Sequence, residues 1–98
     1  MIIQTILMKP ILAKLFENIP NPFSHNTTIK YEIPTSTISA QIIVCNLQGI
    51  ELKSFPISTK GIGFITINGT EFQAGMYLYT LLIDNQIVDT KRMLLTKE

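Results

Sequence analysis

The chain has 98 residues, of which 46% are hydrophobic and 15% charged, and a formal net charge of +1. That is the length of one domain, apolar enough to bury a core without metal or disulfide support and to exclude a disordered chain. The charge balance gives no electrostatic footprint for nucleic acid, and the single cysteine, Cys45, excludes an internal disulfide.

The first residues, MIIQTILMKPILAK, are apolar but lack a basic opening. Lys9 and Pro10 interrupt them and no small-residue cleavage site follows, so they do not read as a secretory signal. Residues 1–12 read as a leader, poorly ordered or packed on a neighbouring copy, ahead of a domain over residues 13–98. No apolar run approaches the roughly 20 residues that span a bilayer.

From there the chain reads as short strands punctuated by turn residues. The first strand is expected over Ala13–Asn18. IPNPF follows, and Pro20 and Pro22 exclude a central strand because neither can donate to a ladder. Phe23 is then free to plug one end of the core. Prolines at this point suit a chain crossing from one sheet to the other, since they discourage wrong pairings. Thr27–Ile33 alternates, with Ile29, Tyr31 and Ile33 on one face and Thr28, Lys30 and Glu32 on the other.

In Ser39–Asn46 the inward phase is Ala40, Ile42 and Val44. Asn46–Gly49 is a turn in which Gly49 can take a positive φ, and Ile50–Phe55 returns. Gly61–Ile67 is another strand, ended by Asn68-Gly69, the strongest turn signal in the chain. Thr70–Gly75 connects, with Phe72 anchored inward. Met76–Asp84 is expected to be the longest strand, with Tyr77, Tyr79, Leu81 and Ile83 on one face. Asp84-Asn85 makes a hairpin turn, and Ile87–Thr96 closes the domain. The fold class is all-β, an immunoglobulin-like antiparallel β-sandwich of about seven strands.

Chemistry is sparse. His25, beside Ser24, has no third group in view to orient a triad. The carboxylates are scattered without metal-loop spacing, so neither a metal nor a cofactor is expected. Cys45 is out of phase with Ile42 and reads as a half-buried packing residue. The basic run at Lys91 and Arg92 reads as a charged strand edge protected from aggregation or as a docking patch. No small-molecule substrate and no enzyme activity follow from these residues.

Three fragments occur in a telling order: NPFSHNTTIKYEIP, AQIIVCNLQGIELK and FQAGMYLYTLLIDNQIVDTKRMLLTK. Together, from about Leu15 to Lys97, they resemble the type A C-terminal sorting domain of type IX secretion substrates from Bacteroidetes. Related patterns occur in the immunoglobulin-like domain of flagellar hook-capping proteins. The resemblance implies a non-catalytic address label at the end of an exported cargo. It implies recognition by an outer-membrane translocon and removal by a sortase-like peptidase, with a path from periplasm to cell surface or medium. The family's G-x-Y element falls on Gly75 and Tyr77, its basic segment on Lys91 and Arg92, and its terminal lysine on Lys97. Cys45 stands where the family often has an aromatic residue. The chain then reads as a domain cut from a longer protein or as a short reading frame that kept the domain. A generic immunoglobulin-like interaction or assembly module, pairing through an edge strand, is the other reading. An exposed end strand also allows a strand-exchanged homodimer.

Overall fold

Residues 12–97 are described by the structure, a computed structural model; the expected leader lies outside them, apart from Leu12. Period-two alternation organises seven strands: β1 (Lys14–Leu15), β2 (Asn26–Ile33), β3 (Ala40–Cys45), β4 (Glu51–Pro56), β5 (Gly61–Asn68), β6 (Gly75–Ile83) and β7 (Gln86–Leu95). They form two antiparallel sheets, ordered β1-β2-β5 and β4-β3-β6-β7, which stack as a β-sandwich.

The inward phases meet as the sequence indicates. Ile29, Tyr31 and Ile33 of β2, Ile42 and Val44 of β3, and Tyr77, Tyr79, Leu81 and Ile83 of β6 are all buried. Met93 and Leu95 of β7 complete this layer, and Phe23 and Phe72 close one end of it. Removing such apolar surface from water contributes about 1.5–3 kcal/mol per large side chain.

Gly63 lies directly under the Tyr31 ring. A Cβ there would stand 2.3 Å from the Tyr31 hydroxyl oxygen, so the buried tyrosine dictates glycine at this point of β5. Toward the same end of the sheets, Asp84 and Asn85 both take positive φ (49° and 66°), the geometry of a two-residue hairpin turn. The Asp84 carboxylate accepts the amides of Ile38 (2.9 Å) and Ser39 (2.8 Å), which ties the β2–β3 crossing to the hairpin.

Two expectations are corrected, and the turn expected at Asn68-Gly69 takes a specific form. The first strand spans two residues, not the six from Ala13 to Asn18. Phe16 still donates its amide to Lys30, but its carbonyl accepts the Tyr79 hydroxyl, so the ladder to β2 breaks there. Asn68-Gly69 opens a single 3-10 turn over Gly69–Glu71, because the Asn68 carboxamide caps the Thr70 amide at 3.0 Å. The longest strand is β7 rather than β6; a bulge at Val88 gives it one residue more.

The proline segment carries the chain from one sheet to the other. Ile19 bridges to Thr28 in the three-stranded sheet, and four residues later Phe23 bridges in parallel to Leu95 in the four-stranded one. Between them lie Pro20 and Pro22, both following cis peptide bonds. Lys14 to Phe23 therefore runs alongside β7 and closes that flank of the sandwich.

Candidate recognition site

The end of the sandwich away from the Asp84-Asn85 hairpin gathers most of the residues singled out by sequence. After the 3-10 turn the chain dips inward at Phe72 and re-enters the four-stranded sheet at Gly75. Gly75 has φ +155°, a conformation that favours glycine, and it pairs with Leu95. Two residues on, Tyr77 is buried and its hydroxyl donates to the Gln73 carbonyl at 2.5 Å. Its ring meets that of Phe72 with centroids 5.3 Å apart and planes tilted by 58°, an edge-biased aromatic pair. Lys97 reaches back to donate from Nζ to the Phe72 carbonyl. Gly75, Tyr77 and Lys97 thus converge on the Phe72–Gln73 connection.

Beside them lies an open cleft of about 500 Å3, lined by Leu52, Lys53, Glu71, Phe72 and Tyr77 among others. Lys53 and Glu71 form an ion pair there, and the Lys53 ammonium also sits 5.0 Å from the Phe55 ring centroid. The cleft is apolar on its aromatic wall and charged at its rim.

The basic run divides. Lys91 pairs with buried Tyr79 across the β6–β7 ladder and is itself half-buried. Its ammonium lies 3.3 Å from Glu17 Oε2 and 3.5 Å from Asp89 Oδ2. Burial pulls its pKa down, but the Glu17 and Asp89 carboxylates outweigh burial and leave it above the ordinary lysine value. Arg92 pairs with Leu78 on the other face and is exposed. The arginine is presented to solvent, whereas the lysine fastens the β1 segment to β7.

The free edge of β7 is already occupied at this end. Asn21 accepts the Leu94 amide (3.0 Å) and donates to the Arg92 carbonyl (3.4 Å). Phe23 donates to the Leu94 carbonyl (3.0 Å) and accepts the Thr96 amide (2.8 Å). The proline segment acts as a short false strand over Arg92–Thr96.

Sequence reasoning missed the polar cluster that anchors this segment. The Tyr79 hydroxyl accepts the Asn18 amide and donates to the Phe16 carbonyl, both at 2.9 Å. Asn18 Nδ2 donates to Thr27 Oγ1 (3.1 Å), which donates to the Pro20 carbonyl (2.7 Å). Burial pushes the Tyr79 phenol up to about 12, against a smaller opposing effect of its hydrogen bond with Asn18. The available signal was a threonine in phase with Ile29, Tyr31 and Ile33 and an asparagine just ahead of the prolines.

Elsewhere, His25 is exposed with Ser24 Oγ 3.1 Å from its Nδ1, and Cys45 is a half-buried free thiol beside Leu78. Among the described residues no group of three or more His, Cys, Asp or Glu is placed to hold a metal ion.

No curated protein and no solved structure is significantly similar to the chain. Residues 18–96 match the family described as "Secretion system C-terminal sorting domain". Domains of that family are sorting signals that engage secretion machinery and imply export to the cell surface or medium. A two-sheet sandwich that spends its polar residues on sealing one flank, matched along 18–96, belongs to the type IX secretion C-terminal sorting domain family.

Proposed function

We propose that this domain is the address by which the outer-membrane translocon of the type IX system selects an attached cargo for export, and that it catalyses nothing itself. The observation that carries this reading is the family match over residues 18–96. The fold supports it in a specific way. Leu12 and β1 lie toward the hairpin end, since Lys14 pairs with Glu32 near the last residue of β2. A cargo joined ahead of β1 leaves from that end, and Gly75, Tyr77, Lys97 and the cleft stand free at the other. Arg92 adds an exposed charge on the outer face of the same sheet. A sortase-like peptidase that separates cargo from address would cut ahead of β1. On this reading Gly75 and Tyr77 shape the recognised end, Lys97 holds it, Arg92 is read directly and Lys91 acts by holding the flank closed.

The test is a fusion. Residues 13–98 are attached behind a periplasmic reporter in a type IX-competent host, and surface and medium fractions are assayed. Export that depends on the domain is the expected result. A reporter that remains periplasmic while the domain is folded overturns the reading and favours an assembly module.

A further inference from the structure

A β-sandwich presents strand edges, and an unprotected edge is a template for another strand. The edges here are not equally protected. β1 is two residues long. β7 carries a bulge and the charges of Asp89, Lys91 and Arg92; Asn21 and Phe23 cover its later part, and Asp89 caps the Thr90 amide at 2.8 Å. β4 includes Glu51 and Lys53 and ends at Pro56, which has no amide hydrogen to offer. β5 has none of these devices. It runs eight residues, GIGFITIN, with no charge and no proline.

The ladder phase shows which of its groups are free. Gly69 donates to the His25 carbonyl, and on the far side of β2 it is Thr28 and Lys30 that bond to the β1 segment. Thr27, Ile29 and Tyr31 therefore bond to Ile67, Ile65 and Gly63, their partners in β5. Ile62, Phe64 and Thr66 turn their N–H and C=O outward, and among the described residues no side chain caps them. Their side chains share the outer face, where Ile62 is 57% and Phe64 62% exposed.

We propose that β5 is a self-association edge, on which two copies of this chain pair β5 to β5, antiparallel, about a two-fold axis through Phe64. The three outward residues are spaced symmetrically about Phe64. Phe64 then faces Phe64 of the other copy, and Ile62 faces Thr66 in both directions. Every outward amide of these residues meets an outward carbonyl, and two three-stranded sheets become one continuous sheet. A two-fold sets like against like, so the absence of charge matters: β4 or β7 paired in this way would crowd their own lysines or carboxylates, and β5 crowds none. The contact consumes the free β5 edge of both copies, which closes the assembly at two. It differs from a strand-exchanged dimer, because each chain keeps all seven of its own strands, and it does not rest on the sorting reading.

The test uses the whole 98-residue chain over a micromolar-to-millimolar dilution series. Sedimentation should show reversible passage from 11.0 kDa to twice that mass. Amide exchange on the unmodified chain should slow with concentration at Ile62, Phe64 and Thr66, leaving Gly63, Ile65 and Ile67, already bonded to β2, unchanged. Phe64→Lys opposes two ammonium groups at the axis, and Thr66→Pro removes an outward donor without touching the β2 ladder. Each should raise the dissociation constant about tenfold or more with the melting temperature of the monomer nearly kept. If a variant fails to fold, the alternating exchange pattern still decides. A chain that stays monomeric at millimolar concentration, an open polymer, a dimer indifferent to both folded variants, or association without slowed exchange at those three amides overturns the proposal.

Discussion

Lys91 and Arg92 are consecutive in sequence and opposite in the fold: the lysine bridges Glu17 and Asp89 on the closed flank, and the arginine projects from the outer face of the four-stranded sheet. A basic pair that looks like one feature is therefore two. Lys91→Ala should lower stability slightly, by about 0–1 kcal/mol, as expected for a partly exposed ion-pair cluster. Arg92→Ala should leave the thermal melt unchanged and reduce export of a fused reporter. Melts and export assays on the two variants, side by side, check the division. Equal stability losses, or an export defect in Lys91→Ala alone, would contradict it.

Tyr79→Phe removes one atom at the centre of the buried polar cluster. The Asn18 amide and Phe16 carbonyl both lose their partner. Leaving buried backbone groups unsatisfied costs about 1–3 kcal/mol, and chemical denaturation should show a loss in that range. Proteolysis should also become faster within residues 13–23, the stretch that the hydroxyl pins.

The same phenol sets an alkaline limit. Its pKa is raised in the folded state, to about 12 from an ordinary value of 10.0. Its contribution is complete below pH 10 and is lost as pH rises toward 12, with a slope of at most about 1.4 kcal/mol per pH unit. The raised pKa of Lys91 acts in the same direction in the alkaline range above its ordinary value of 10.5. Denaturant midpoints measured from pH 9 to 12 should fall, and should fall less steeply in Tyr79→Phe.

Thr37 is 4% exposed, and its Oγ1 has no hydrogen-bond partner. Valine keeps the shape and removes the orphan hydroxyl. Thr37→Val should stabilise the domain by about 1 kcal/mol, read from a urea midpoint that moves at constant slope. A destabilised variant would mean that the hydroxyl is satisfied in solution.

Gly63→Ala drives a methyl group into the Tyr31 ring, which is packed among core residues and has little room to retreat. Overpacking of this kind costs about 1–3 kcal/mol. Tyr31→Val should recover part of that loss when combined with it, so the double variant should be more stable than the sum of the two single changes predicts.

Strand phase was legible because each strand obeys a local rule. Ile29, Tyr31 and Ile33 alternate, and so do Tyr77, Tyr79, Leu81 and Ile83; one buried face is enough to produce that pattern. The crossing at Pro20 and Pro22 was legible for the same reason, since a missing donor is a property of the residue itself. What could not be read was which long-range partner an atom would choose. The Phe16 carbonyl is taken by Tyr79, 63 positions away, and β1 is cut short as a result. Gly75 and Tyr77 were visible as a motif, but their meeting with Lys97 at Phe72 depends on where β7 ends relative to β6. The division of Lys91 from Arg92 follows from alternation alone, yet it acquires meaning only when Glu17 is seen across the flank.

The parallel bridge between Phe23 and Leu95 makes the domain a test of its own completeness. During synthesis the seat for Phe23 does not exist until Leu94, Leu95 and Thr96 have emerged, more than seventy positions after Phe23 itself. A chain broken off within β7, just before them, retains six of its strands whole, yet it has a gaping side, an unplugged core and no Lys97 to brace the far end. On the proposed reading, recognition of that end would also report that translation had reached it.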